Sequence, residues 1–214
     1  MIVLVDMGIG NLQSVVNAFQ RVGAEVAVTT QPADVAAADA VVLPGVGAFG
    51  DGMASLKAKR LIEPIRRHAR EHRKPLLGIC LGMQLLADAG EEHGRHEGLG
   101  LIRGRVVQLP RVPGRRIPNM GWCDIQVSNP RSVLFARVPQ GEPFYFAHSY
   151  HVVCGDPTDV AATMAYGGPV AVAVERGSIF GVQFHPEKSQ DAGLSLLEAF
   201  ARLVGARQAE GAAR

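Results

Sequence analysis

Cys80 lies in a sequence pattern typical of a catalytic nucleophile. An apolar run, residues 76–79, leads into Gly78-x-Cys80-x-Gly82, and a helical pattern follows. In such a strand, sharp turn and helix, the nucleophile has a strained backbone, and side chains two residues away on either side would collide. A cysteine at a helix N-terminus is also favoured as the reactive thiolate. The segment predicts a cysteine nucleophile; the alternative is a buried cysteine at the end of a glycine-containing strand.

A second candidate group ends a β-rich run near the C-terminus, at His185-Pro186-Glu187. A thiol nucleophile needs a neighbouring base to carry its proton, and that base needs a third group to orient it. Residues two apart in extended chain share a face, so we expect the Glu187 carboxylate beside the His185 ring. The alternative is a strand-end histidine followed by a turn proline and a solvated glutamate.

A glycine-rich segment, residues 43–50, follows the third predicted strand. It matches G-x-G-x-x-G formally, so a dinucleotide-binding turn is one interpretation. That fingerprint belongs in the first strand-helix turn, with an acidic residue on a following strand about twenty residues later, and residues 60–72 offer no such strand. We instead expect a loop whose backbone N–H groups, with the N–H of Leu81, form an oxyanion hole beside Cys80.

The elements that must position these residues alternate in the first half of the chain. Continuous apolar runs predict strands that are buried on both faces, as in a parallel sheet covered by helices. Between them, Asn11 caps a helix whose apolar residues recur on one face. The predicted strands are residues 2–5, 25–29, 40–43 and 76–79, and one long helix is expected over residues 52–71.

The second half has frequent glycine and proline and short β-rich runs, which predict added, mostly antiparallel strands. The runs are residues 105–109, 144–153, 160–165, 170–175 and 179–184, followed by an amphipathic helix over 192–203. Together the patterns predict an α/β fold, with residues 1–205 as a single domain and 206–214 as a frayed tail.

Bulk composition excludes several classes of protein. The 214 residues carry a formal charge of +2 that is spread along the chain, which disfavours nucleic-acid binding. The N-terminal apolar run is too short for a signal peptide, and no run reaches membrane-spanning length. The seven histidines show no metal-binding spacing, and the three cysteines, at 80, 123 and 154, fit neither a disulfide framework nor a zinc ribbon. We therefore expect a cytoplasmic protein.

Together, the cysteine turn, the glycine-rich loop and the late His-Pro-Glu resemble the class I glutamine amidotransferases over nearly the whole chain. Further segments resemble the glutaminase subunits of imidazole glycerol phosphate synthases. These segments are residues 7–12, 44–47, 98–102, 118–122, 145–150 and 183–190. The resemblance implies a three-layer fold with a central, mainly parallel sheet. It also implies glutamine hydrolysis by Cys80, His185 and Glu187, without metal or cofactor.

The resemblance assigns further roles. It implies an oxyanion hole from the backbone of Leu81, Val46 and Gly47, in which the Val46 peptide has to rotate before the hole is complete. It implies a heterodimer with a (β/α)8-barrel synthase subunit that uses the ammonia. Substrate contacts are expected at Gly45, Gly47, Gln84, Ser149 and Tyr150, and partner contacts at Met120, Trp122, Tyr145 and Lys188. Ordinary packing is the alternative for the partner contacts.

The sequence departs from the family pattern at three positions. Asn119 and Cys123 replace the usual His and Asn, and Met7 replaces the usual Tyr. Three other interpretations stay open: the amidotransferase subunit of anthranilate or aminodeoxychorismate synthase, a cysteine hydrolase of the α/β-hydrolase type, and an inactive interaction module. The hydrolase is disfavoured because its acid normally precedes the histidine in the chain.

Overall fold

The computed structural model describes the backbone of residues 1–212 and the side chains of residues 1–205. The strands are Ile2–Val5 (β1), Val26–Thr29 (β2), Ala40–Gly45 (β3), Leu76–Cys80 (β4), Ala89–Gly90 (β5), His96–Glu97 (β6), Gly104–Gln108 (β7), Asn119–Asp124 (β8), Gln126–Val127 (β9), Pro143–His148 (β10), Tyr150–Cys154 (β11), Val160–Ala165 (β12), Pro169–Arg176 (β13) and Ile179–Val182 (β14). The helices are Leu12–Arg21 (α1), Pro32–Ala37 (α2), Phe49–Ala58 (α3), Ile62–Arg70 (α4), Leu81–Leu85 (α5) and Gln190–Ala212 (α6), with short 3₁₀ helices at Pro157–Asp159 and Pro186–Lys188.

One eight-stranded sheet forms the centre of the fold, in the order β2-β1-β3-β4-β14-β13-β12-β9. The first five strands are parallel, and β13, β12 and β9 continue the sheet with antiparallel pairings. This confirms the predicted α/β fold with a mainly parallel centre and added antiparallel strands. The run 179–184 is only partly as predicted, because β14 lies antiparallel to β13 but parallel to β4.

Two smaller sheets complete the structure: β10 pairs with β8, and β11, β7, β5 and β6 form a four-stranded sheet. The prediction of one strand over residues 144–153 is therefore wrong. Ser149 interrupts the run, and the two halves join different sheets. An apolar, β-rich sequence does not reveal this change of partner, because the pairing depends on distant strands.

The core lies on both faces of the central sheet. Along β1, Ile2 and Leu4 pack in one cluster, with Phe19 of α1 and Phe200 of α6. Val3 and Val5 point to the other face and pack in a second cluster with Leu56 of α3 and Ile65 of α4. Burial on both faces explains why these strands read as continuous apolar runs.

The long helix predicted over residues 52–71 is divided into α3 and α4 by a turn at Arg60. Arg60 has φ 57°, and its N–H donates to Lys57 O while the N–H of Leu61 donates to Leu56 O. This pair of bonds is the Schellman helix ending, which usually has glycine at the left-handed position. Leu56 and Leu61 are both buried, as the motif's hydrophobic contact requires. Because an arginine takes the place of the usual glycine, the sequence carries no sign of this helix end.

The last helix, α6, is longer than the predicted 192–203 at both ends. Of the expected frayed tail 206–214, residues 213 and 214 lie outside the described residues. Among the described residues, no helix combines the length and apolar character needed to cross a membrane.

Candidate active site

Cys80 occupies the tight turn between β4 and α5, with φ 53° and ψ −110°. A left-handed backbone is strained in a non-glycine residue and is sustained only by close packing around it. That packing involves both glycines. A Cβ on Gly78 would lie 2.6 Å from the backbone of Gly82, and a Cβ on Gly82 would overlap the carbonyl oxygen of Leu43 in β3. The expected strained turn, with obligatory glycines on either side, is present.

His185 reaches the same edge of the sheet because β14 lies beside β4, with Val182 opposite Ile79. The turn after β14 is held by β10: the His185 N–H donates to Tyr145 O at 2.9 Å, and the Tyr145 N–H donates to Ser189 Oγ at 3.0 Å. Residues 186–188 form a 3₁₀ helix. The expected extended chain is therefore wrong at this point, and the tight turn brings the Glu187 side chain back to the ring.

The His185 and Glu187 side chains form a buried pair. Nδ1 of His185 lies 2.8 Å from Oε1 of Glu187, and each side chain is 5% exposed. Burial of the ring lowers its pKa, but hydrogen bonds and charge interactions with Cys80 and Glu187 outweigh the burial and raise the pKa to about 9. Oε2 of Glu187 has no hydrogen-bond partner in the described chain and is also buried. A small cavity of about 20 Å³ borders the Glu187 side chain and has room for about one water molecule.

Gln183 contacts the sulfur of Cys80, and Gln84 contacts Gln183. Gln183 donates from Nε2 to Cys80 Sγ at 3.7 Å, and its Oε1 accepts from Gln84 Nε2 at 3.0 Å. Gln84 Nε2 also donates to the Tyr150 carbonyl at 3.0 Å. The contact of Gln183 with the nucleophile was not predicted, although in a strand Gln183 and His185 share a face, and that spacing is the available signal.

A cavity of about 390 Å³ opens above Cys80. Its walls contain most of the residues expected to bind substrate or oxyanion, and several that were not predicted. The lining consists of Val46, Gly47, Ala48, Cys80, Leu81, Gln84, Glu92, Pro118, Met120, Ala147, His148, Ser149 and Tyr150. Gly45 is not among them and borders instead the small cavity beside Glu187.

Glu92 supplies the carboxylate of this cavity, and no sequence pattern marks it. Its Oε2 accepts a hydrogen bond from the Phe49 N–H, at the start of α3, at 2.8 Å. The contact joins the far wall of the cavity to the glycine-rich loop that precedes α3. Within that loop Gly47 has φ 102°, a conformation that side chains rarely adopt, and Val46 is exposed. Glycine at position 47 is therefore required by the backbone.

The four expected partner contacts lie together on one surface. Met120 and Trp122 of β8 are 65% and 49% exposed. The Trp122 and Tyr145 rings meet edge-to-face with centroids 6.1 Å apart, and Lys188 Nζ lies 5.7 Å from the centre of the Tyr145 ring. Asn119, between this surface and the cavity, is buried and lies 3.7 Å from the sulfur of Cys123.

Comparison with known families and curated proteins gives a consistent result. Residues 3–203 match the family described as glutamine amidotransferase class-I. The imidazole glycerol phosphate synthase subunit HisH of Syntrophotalea carbinolica is 49% identical over 205 residues, covering 94% of this chain and 98% of that protein. The subunit of the same name from Moorella thermoacetica is 48% identical and covers 95% of each chain.

Solved structures with much lower identity share the fold. A putative GMP synthase subunit from Thermoplasma acidophilum superposes with a TM-score of 0.75 at 18% identity, covering 98% of this chain and 96% of that chain. The PurLQS structure from Thermotoga maritima gives a TM-score of 0.72 at 19% identity, with 95% and 98% covered. At such identities the likeness concerns the architecture alone.

Proposed function

Since the chain belongs to the glutamine amidotransferase class-I family, we propose that it hydrolyses glutamine to glutamate and ammonia as the glutaminase subunit of an imidazole glycerol phosphate synthase in histidine biosynthesis. The relatives that carry this subunit's name are close to half identical over nearly the whole chain. The observation that carries the chemistry is the strained Cys80 turn beside the buried His185–Glu187 pair.

Cys80 attacks the carboxamide carbon of glutamine as a thiolate, and a thioester forms as ammonia leaves. With a pKa of about 9, His185 is protonated at neutral pH and can give its proton to the departing nitrogen. Glu187 fixes the ring orientation through Nδ1, at 2.8 Å. His185 then takes a proton from the water that hydrolyses the thioester to glutamate.

The oxyanion of the tetrahedral intermediate needs N–H donors that are already in place. We assign them to Leu81, which follows Cys80, and to the loop at Val46 and Gly47, which lines the same cavity. This loop has to present a backbone N–H toward the sulfur side of the cavity. Rotation of the Val46 peptide, which the positive φ of Gly47 accommodates, is the step that completes the hole.

Glutamine fits the composition of the cavity. Glu92 offers a carboxylate to the α-ammonium group, an interaction that is stronger than a neutral hydrogen bond. Gln84, Ser149 and Tyr150 also line the cavity and offer polar atoms to the rest of the substrate. The assigned contacts on the glycine-rich side are Gly47 and, through its backbone, Gly45.

The ammonia goes to a (β/α)8-barrel synthase subunit, which joins this chain in a heterodimer in the cytoplasm. The surface formed by Met120, Trp122, Tyr145 and Lys188 is the assigned contact. It combines exposed apolar and aromatic side chains, the residue types that are enriched at interface centres.

Covalent labelling tests the proposal. A glutamine analogue with an electrophilic carbon should modify Cys80 in the wild-type protein, with the adduct located by mass spectrometry, and Cys80→Ala should remain unmodified. Cys154 is the internal control, because burial and the nearby Asp159 and Asp156 raise its pKa to about 11 and keep it a thiol at neutral pH. An adduct on Cys123 or Cys154 with Cys80 untouched would contradict the assignment, and glutamate release by Cys80→Ala would too.

A further inference from the structure

A second histidine lines the cavity above Cys80 and has no role in the proposed reaction. His148 is the last residue of β10, and its side chain is buried. It is close enough to His185 for the two rings to influence each other's charge. A cation at His148 would therefore act directly on the group that carries the proton in the reaction.

The two ring nitrogens of His148 have partners of opposite character. Nδ1 lies 2.8 Å from the carbonyl oxygen of Tyr150, which can only accept a hydrogen bond. Nε2 lies 3.3 Å from Nδ2 of Asn119, an amide nitrogen that can only donate. Nδ1 therefore carries the ring proton and Nε2 presents its lone pair. This is one tautomer of the neutral imidazole.

The orientation of the Asn119 amide decides this assignment, because the opposite orientation would put an acceptor against Nε2. Nδ2 of Asn119 also lies 3.7 Å from the sulfur of Met164, which can only accept. A reversed amide would set its oxygen against that sulfur and lose the bond. The thiol of Cys123, 3.7 Å from both amide atoms, can donate or accept and is compatible with either orientation.

The surroundings of His148 also favour the neutral ring. Its pKa is lowered to about 4, chiefly by burial; the bond to the Tyr150 carbonyl acts in the opposite direction, and the charges of His151 and His185 add to the lowering. The remaining titratable groups on the cavity wall or beside Asn119 are Cys80, Glu92, Cys123 and Tyr150. Glu92 is the one carboxylic acid among them, and it is bonded to the Phe49 N–H.

We propose that Asn119 is a positioning residue that, together with the Tyr150 carbonyl, holds His148 in the neutral Nδ1–H form, so that His185 is the one imidazolium beside Cys80. The proposal rests on the glutaminase function above. A second imidazolium would repel the charge on His185 and lower the pKa of that acid. A neutral His148 also has no acidic proton to give to the ammonia released beside it.

The tautomer can be observed without any reaction. In the full-length chain labelled with ¹⁵N-histidine, with the His148 signals assigned by their loss in His148→Gln, we expect a protonated Nδ1 and an unprotonated Nε2 at pH 7. The neutral form should persist down to about pH 5. A protonated Nε2 at pH 7 overturns the inference, whatever the protein does to glutamine. Failed labelling of Cys80 would instead overturn the proposed function and leave the tautomer result unaffected.

Two substitutions of Asn119 by residues of similar size separate an effect on the protonation of His148 from an effect of altered packing. Asn119→Asp puts an acceptor against Nε2, so His148 should become doubly protonated at pH 7. The ¹⁵N spectrum of this variant should then show both ring nitrogens of His148 protonated at pH 7. The new carboxylate and the new imidazolium offset each other's charge at His185, so the spectrum and not the pH profile is the readout. Asn119→Leu removes the donor without adding a charge or an acceptor, so the His148 ring should stay neutral. Equal His148 spectra in the two variants would contradict the inference, and if Asn119→Asp does not fold, the wild-type tautomer decides.

Discussion

The Glu187 carboxylate acts on catalysis through the His185 ring, which it contacts at 2.8 Å. In Glu187→Gln the size is kept and the charge is lost, so the pKa of His185 should fall from about 9. The alkaline limb of the pH profile should move to lower pH, and kcat/KM at its optimum should fall by roughly 10²- to 10⁴-fold, as when a triad acid is replaced by its amide. Steady-state kinetics across pH 6–10 with the synthase partner measures both effects.

Thermal unfolding of Glu187→Gln provides the control for that experiment. Oε2 of the buried carboxylate has no hydrogen-bond partner among the described residues. Replacing the carboxylate by an amide therefore breaks no second hydrogen bond, and the variant should stay folded. If the variant is folded and keeps the wild-type rate and pH profile, Glu187 has no role in the mechanism.

At the scale of elements, the site depends on how closely α5 approaches β3. A Cβ at Gly82 would overlap the carbonyl oxygen of Leu43, a backbone atom that cannot move aside alone. Gly82→Ala should therefore lower the free energy of unfolding by about 3 kcal/mol or more. Urea denaturation gives the value, with Gly205→Ala as the matched control: Gly205 lies in α6 with open space around it, and alanine there should be neutral or stabilising. Equal stabilities would show that the turn relaxes easily.

The sequence predicts those elements whose pattern is local. The parallel strands were visible because burial on both faces leaves an uninterrupted apolar run, as in residues 40–43. The start of α1 was predictable because asparagine is a favoured N-cap residue. In the structure, the Asn11 side chain accepts a hydrogen bond from the N–H of Ser14 at 3.4 Å. The turn at Cys80 was visible because the glycines that make room for it lie only two residues away on each side.

Features that depend on distant partners were not visible. Arg60 ends α3 in a conformation usually given to glycine, and the Leu56–Leu61 contact stabilises it there. Glu92 and His148 line the cavity, and Gln183 contacts Cys80, only after strands far apart in sequence have paired. Of the three, only Gln183 has a local signal, its place on the same strand face as His185. Such residues can be assigned to the site only when the order of the strands in the sheet is known, with β14 between β4 and β13.

For the whole molecule, the first prediction concerns assembly. Trp122 is half exposed and stacks edge-to-face on Tyr145, within the assigned partner surface. Trp122→Ala should weaken binding of the synthase partner at least about tenfold, because large aromatic residues dominate interface energies. Titration calorimetry with the purified partner measures the affinity. Val28→Ala is the control, since Val28 is similarly exposed but lies on β2, at the edge of the central sheet, whereas Trp122 belongs to the separate β10-β8 sheet. Equal losses in both variants would argue against this surface.

The second prediction concerns acid stability. His68 in α4 is buried, with Nε2 3.0 Å from the carbonyl oxygen of Pro75, and burial lowers its pKa to about 4. Between that value and its ordinary 6.5, the unfolded chain binds a proton that the folded chain does not, so stability falls as pH decreases. His68 alone should cost about 3 kcal/mol across this interval.

Urea denaturation at pH 7 and pH 5 measures the part of this loss that falls above pH 5, about 2 kcal/mol. His68→Leu should be less stable than wild type at pH 7, because the bond to Pro75 is gone, yet its stability should decline less on acidification. An unchanged decline would show that other groups, such as His148, account for it. His185 acts with the opposite sign: its raised pKa favours the fold below pH 6.5, and that contribution is lost as pH rises through about 9.

The position of β14 has a consequence for synthesis of the protein. This strand, the last of the sheet in chain order, inserts between two strands made earlier. Until the ribosome has produced it, one edge of β4 stays open and the thiol at its end has no imidazole beside it. Nascent and prematurely terminated polypeptides are therefore unable to consume glutamine, and their open strand edge is a target for chaperones in the crowded cell.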